Sequence, residues 1–145
     1  MGISIRGGAE GSAKLTLKAG SITRTLPVTV YANLFPKFTA VGLTPVNDAS
    51  YDVEYAGTVW NEFGRQTLTL TDGDYSLEDS KGLNNDSNIY FILINNADNA
   101  VYLRTNNSPG KPRRMRATLP AGNYTLTFAS QGKYSGTVTP IIRKL

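Results

Sequence analysis

Apolar and polar residues alternate with a period of two through most of this chain. Gly, Pro, Asn and Asp punctuate the alternation, a pattern that predicts short β-strands joined by turns. Lys14-Leu15-Thr16-Leu17-Lys18 alternates and runs into Ala19-Gly20. Beyond that turn Ile22, Leu26, Val28 and Val30 share one face while Thr23, Thr25 and Thr29 take the other, so the two segments predict a hairpin. Pro27 has no backbone donor, which assigns the second strand to a sheet edge or to a bulge. Further strands are predicted at 38–41, 51–55, 67–70, 89–94, 101–104, 115–119, 124–128 and 136–142. In 124–128, Tyr124, Leu126 and Phe128 face one way and Thr125 and Thr127 the other, as in a half-buried strand. The segment 89–94 is apolar on both faces apart from the Tyr90 hydroxyl, which predicts a central strand.

Helical spacing of apolar residues nowhere persists beyond about two turns, although 61–63 and 77–82 admit single helical turns. About nine or ten short antiparallel strands predict an all-β chain, a single β-sandwich or jelly-roll-like domain over residues 13–145. Residues 1–12 carry Gly2, Gly7, Gly8 and Gly11 around Ile3 and Ile5, the composition of a flexible arm able to add a strand to a neighbour. No internal repeat is evident.

Composition narrows the class. The chain has 145 residues, 40% hydrophobic and 18% charged, which is too apolar for disorder and too polar for a membrane protein. The longest apolar run is strand-sized, far short of the roughly 18 residues a spanning helix needs. The first residues lack the apolar core of a secretory signal. There is no cysteine, so the fold must hold by packing and strand pairing.

With neither His nor Cys, the usual catalytic triads, thiolate nucleophiles and zinc sites cannot be assembled from one chain. Carboxylate pairs remain, Asp52 with Glu54 and the run Asp72, Asp74, Glu78, Asp79. Asp52 and Glu54 alternate with Tyr51, Val53 and Tyr55, as the solvent face of a strand would. The segment 71–79 lacks the sixth-position glycine of a calcium loop, and Asp72-Gly73 fits a hairpin turn after the strand 67–70. No enzymatic activity, cofactor or metal is therefore expected.

The net charge of +4 is mostly scattered, at Lys14, Lys18, Arg24, Lys37, Arg65 and Arg104. It is dense only in Lys111-Pro112-Arg113-Arg114-Met115-Arg116, where Arg114 and Arg116 are expected on the outer face and Met115 and Ala117 inside. No aromatic residue interleaves this cluster, so protein contact or edge protection ranks ahead of nucleic acid. Trp60, beside Asn61 and Glu62, is a core or interface anchor or a platform for a sugar ring.

The stretch Leu119-Pro120-Ala121-Gly122-Asn123-Tyr124-Thr125-Leu126-Thr127-Phe128 resembles the entry strand of many extracellular and viral β-sandwiches. Gly132-Lys133-Tyr134-Ser135-Gly136-Thr137-Val138-Thr139 is similar to the last strand of chaperone-usher pilins, whose long alternating donor strand residues 1–12 do not match. In the architecture of the whole chain it resembles the small cysteine-free sandwiches on tailed-phage particles, above all capsid decoration (cement) proteins. That resemblance implies a virion location, a major capsid or other virion protein as partner, and a homo-oligomer. Contacts would come from Ile3, Ile5 and Arg6 of the arm and from Lys111, Arg113, Arg114 and Arg116. A pilin at the cell surface and a carbohydrate-binding module are the alternatives.

Overall fold

The structure, a computed structural model, describes residues 11–47, 49–79, 88–106, 110 and 113–145, with only the backbone of Asp79. The chain divides into two compact units, Met1–Ala32 and Asn33–Leu145, so the boundary expected after residue 12 falls after Ala32 instead. In the first unit β1 (Gly11–Ala19) and β2 (Ile22–Val30) form the expected hairpin, in register from Gly11↔Val30 to Ala19↔Ile22. Its two-residue turn places Gly20 at φ 61°, a left-handed value suited to glycine. Pro27 sits opposite Lys14 without a bulge. In a two-stranded sheet every strand is an edge, so its missing donor is tolerated.

Among the described residues the second unit carries ten strands: β3 (Leu43–Pro45), β4 (Tyr51–Tyr55), β5 (Trp60–Leu70), β6 (Gly73–Asp79), β7 (Ile89–Asn95), β8 (Val101–Arg104), β9 (Arg116–Leu119), β10 (Gly122–Gln131), β11 (Tyr134–Val138) and β12 (Pro140–Lys144). All pairings are antiparallel, and the architecture is roughly a β-sandwich. One sheet has the order β5-β10-β7-β8, so β7 is interior as its two apolar faces predicted. Two three-stranded sheets, β11-β4-β3 and β12-β6-β9, are linked through Thr139, the single residue between β11 and β12.

Side chains from all three sheets meet in one apolar cluster. Phe128 of β10 is its hub, with the rings of Phe91 at 4.8 Å, Phe63 at 5.3 Å, Phe38 at 5.6 Å and Tyr51 at 5.9 Å between centroids. Strand β10 slips register just after Phe128, between it and Ala129. The segment 38–41 is not the expected strand. Its buried Phe38 is instead held by an amide that donates to the Tyr51 hydroxyl at 3.0 Å. Residues 61–63 extend β5 rather than forming a helical turn, and 77–79 belong to β6. Gly42 is required where it stands: its φ is 84°, and an added Cβ would lie 2.6 Å from the Glu54 carbonyl oxygen.

Asp72-Gly73 is not a hairpin turn, because β5 and β6 lie in different sheets. Here the chain crosses from one layer to the other, and Pro120-Ala121 carries it back from β9 to β10. The crossings run side by side, with Leu70 opposite Gly122 in one sheet and Leu119 opposite Gly73 in the other. They are two copies of one pattern, Thr69-Leu70-Thr71-Asp72-Gly73-Asp74-Tyr75-Ser76-Leu77 and Thr118-Leu119-Pro120-Ala121-Gly122-Asn123-Tyr124-Thr125-Leu126. The structure thus reveals an internal repeat.

The bonds repeat as well. The Tyr75 hydroxyl donates to the Thr71 carbonyl at 3.1 Å and the Tyr124 hydroxyl to the Pro120 carbonyl at 2.7 Å. The Thr69 hydroxyl donates to Asn123 Oδ1 at 2.8 Å, and the Thr118 hydroxyl to Asp74 Oδ1 at 2.5 Å. Each copy therefore clamps the other across the strand pair. Both tyrosine rings are buried, and a buried phenol needs such an acceptor.

Tyr75→Phe and Tyr124→Phe should each destabilise the fold by about 1 kcal/mol, by nearly equal amounts, because each strips one carbonyl of the same partner. Phe128→Ala should lose about 3–5 kcal/mol. Urea unfolding followed by Trp60 fluorescence separates these effects.

Candidate interaction surface

The four-stranded sheet turns Ile89, Phe91 and Leu93 of β7 and Tyr124, Leu126 and Phe128 of β10 into the core. Alternation then sends Tyr90, Ile92 and Ile94 to the opposite face, where all three are half-buried. Cross-strand register fixes the rows on that face. Glu62, Ala129 and Tyr90 form one; Arg65, Thr127, Ile92 and Arg104 the next; Thr67, Thr125, Ile94 and Val101 the third. The result is an apolar spine along β7, flanked by small residues on β10 and charged ones on β5.

Trp60, at the end of β5, stacks on Tyr90 with centroids 5.6 Å apart and planes 10° from parallel. Ala129 shares this face and is fully buried, and its small side chain leaves room for the two rings to meet across β10. Trp60 nevertheless stays 41% exposed. Its indole N–H points at Glu62 Oε1, at 3.5 Å. The Arg65 guanidinium holds the Glu62 carboxylate at 2.7 and 2.9 Å. This hydrogen-bonded pairing keeps the Glu62 carboxyl below the usual carboxylate range and raises Arg65. Burial pushes the Tyr90 phenol up.

The expected basic contacts are divided. Ile3, Ile5, Arg6 and Lys111 lie outside the described residues. Arg114 pairs with Arg104 through two backbone hydrogen bonds of 2.8 and 2.9 Å, tying the edge of the four-stranded sheet to the chain entering β9. That register extends the Ile92–Arg104 row outward and brings Arg114 to the rim of the apolar face. Arg116 instead lies on β9 in the row Arg116–Ser76–Arg143, with Arg143 paired to Glu78 at 3.2 Å. Arg113 is half-buried, whereas Arg114 and Arg116 are exposed. Arg104, read from sequence as one of the scattered charges, is 7% exposed and donates to Asn106 Oδ1 at 2.8 and 3.0 Å. Its pKa is lowered by desolvation.

Two of the remaining carboxylates hold strands together. Asp52 accepts from the Thr137 hydroxyl at 2.5 Å and Glu54 from the Ser135 hydroxyl at 2.7 Å, both across the β4–β11 ladder. Among the described residues no three His, Cys, Asp or Glu side chains converge on a metal position, and no helix is long and apolar enough to cross a membrane. A cleft of about 440 Å³ opens beside Tyr51 and Pro45. Its Asn47 side chain already accepts from the amides of Ala49 and Ser50, and the Tyr51 hydroxyl is bonded to the backbone. No family model, characterised protein or solved structure matches the chain.

The outward role of Tyr90, Ile92 and Ile94 was missed in the sequence because two apolar faces read simply as interior burial. A strand interior to its sheet can still present one face to a partner, and periodicity cannot separate the two cases.

Trp60 is the sole tryptophan, so its emission reports this corner alone. Because the Glu62 pKa is depressed, the carboxylate contact persists through the ordinary Glu range and is lost only as pH falls further. Trp60 emission should therefore change with a midpoint below that of a free Glu, and Glu62→Gln should abolish the transition.

Proposed function

We propose that this chain is a non-enzymatic structural subunit that joins other proteins, of the kind that decorates and stabilises a phage capsid or forms part of a tail. The observation that carries the proposal is the face built by Trp60, Tyr90, Ile92 and Ile94, rimmed by Arg65 and Arg114. Stacked aromatics at one end of an apolar strip with arginines at its edge are the composition of an interface. Three of the carboxylates that might have driven hydrolysis, Asp52, Glu54 and Asp74, are engaged in strand-to-strand bonds, which supports the same reading. Arginines on the rim suit an acidic shell surface, in keeping with the resemblance to capsid decoration proteins.

A sugar-binding role is the second reading, favoured by the exposure of Trp60 and the polar groups beside it. Against it, Tyr90 already covers one face of the indole.

The decisive experiment is mass spectrometry and electron microscopy of purified particles from the virus that encodes the chain. The subunit should be found on them at a fixed ratio to the shell protein, and Trp60→Asp should reduce its occupancy at least tenfold while leaving the fold intact. Absence from the particle overturns the proposal. Glycan binding lost in Trp60→Ala, with no particle association, would establish the second reading instead.

A further inference from the structure

We infer that the block β9–β12 is an exchangeable part: a second copy of this chain can supply it, so that two molecules trade blocks and close as a symmetric dimer. The repeat at the crossings extends well beyond them. A constant spacing of 49 positions separates Thr69 from Thr118, Tyr75 from Tyr124 and Leu77 from Leu126. The same spacing carries Ile89 onto Val138 and Leu93 onto Ile142. Apart from the two threonines, all of these side chains lie in the core cluster.

Strand register obeys the spacing too. Leu70 opposite Gly122 is matched by Leu119 opposite Gly73. Asn95 opposite Tyr124 is matched by Lys144 opposite Tyr75, and Leu93 opposite Leu126 by Ile142 opposite Leu77. The amide of Asn96 donates to the Asn123 carbonyl at 2.9 Å, and its counterpart Leu145 donates to the Asp74 carbonyl at 2.8 Å. The core therefore consists of two interleaved segments related by a pseudo-two-fold axis. Strand β10 of the second lies between β5 and β7 of the first, and β6 of the first lies between β9 and β12 of the second.

Interleaving leaves neither segment able to build a sheet from its own strands. Among the described residues β5, β6 and β7 form no pair with one another, and neither do any two of β9, β10, β11 and β12. The block pairs entirely outside itself, β9 and β12 on β6, β10 on β5 and β7, and β11 on β4. Side-chain bonds from Thr118, Ser135 and Thr137 also leave it, for Asp74, Glu54 and Asp52. Only the residues between β8 and β9 tie it to its own molecule along the chain. A second molecule offers the same partners in the same register, so exchange conserves these bonds and needs no new interface.

Concentration decides which form closes. The tether holds the block at an effective concentration on the order of millimolar for its own partners. Chains folding at about 1 μM should close on themselves, and chains folding at about 1 mM or above should trade blocks. Folded molecules would have to break every one of these pairings to exchange, so trading is confined to folding.

Thr67 of β5 stands directly opposite Thr125 of β10, one inside the block and one outside it. Such antiparallel partners lie about 4.5–5.5 Å apart between Cα atoms, within disulfide reach. The chain has no cysteine, so Thr67→Cys and Thr125→Cys each carry a single thiol. Unfolded together and refolded under oxidation at about 1 mM, the two variants should yield a disulfide-linked mixed dimer several-fold above its random share. Mixed as already folded chains, they should not. Sedimentation velocity of the unsubstituted chain should show dimer after refolding at about 1 mM and monomer after refolding at about 1 μM. Mixed cross-linking at the random share, a chain that is monomeric at both concentrations, or a dimer without the mixed cross-link overturns the inference. Particle composition, which tests the capsid reading, has no bearing on it.

Discussion

Two phenol hydroxyls hold the points at which the chain changes layers. Tyr75 and Tyr124 each reach back to a carbonyl four residues upstream, and each closes a crossing between sheets. A chain without disulfides must fix its layer spacing by packing and hydrogen bonds alone. The two crossings do so jointly, since the threonine entering each one bonds the Asp or Asn leaving the other. Leu70, Leu77, Leu119 and Leu126, which bracket them, are all buried in the cluster around Phe128. If the crossings shifted, β10 would lose register with both β5 and β7, and with it the rows that expose Tyr90 and Ile92.

Much of this was legible in the sequence. The hairpin joining 14–18 to 22–30 and the interior place of β7 follow from period-two alternation, because side-chain direction in a strand has that period; β10, expected to be half-buried, is instead buried on both faces from Leu126 to Ser130 because it lies between β5 and β7. What escaped depends on pairing over long separations. Asp72-Gly73 carries the local chemistry of a hairpin, yet β6 pairs with β9 and β12 rather than β5, and local chemistry cannot report a change of sheet. The repeat escaped because its two short copies are separated by β7 and β8, and their likeness becomes meaningful only when the hydrogen bonds are seen to exchange. The buried Arg104 looked like a solvated cation because nothing in the sequence fixes Asn106 beside it. Of the expected contact residues, Arg114 and Arg116 are both exposed as expected, but the register of β9 carries Arg116 onto another sheet.

The functional reading follows from which surfaces the fold leaves unfinished. Asp52, Glu54 and Asp74 are tied across strands, whereas Tyr90, Ile92 and Ile94 are left half-buried on the outer face of the four-stranded sheet. The proposed interface rests on that face, where Trp60 stacks on Tyr90 and Arg114 lies at the rim.

The most direct test of this account is hydrogen–deuterium exchange of the pure chain. Amides flanking the crossings, around Leu70–Gly73 and Leu119–Gly122, should be among the slowest to exchange, opening only with global unfolding, whereas the hairpin tip near Gly20 should exchange first. Crossings that exchange as fast as the hairpin tip would contradict the claim that they hold the layers together.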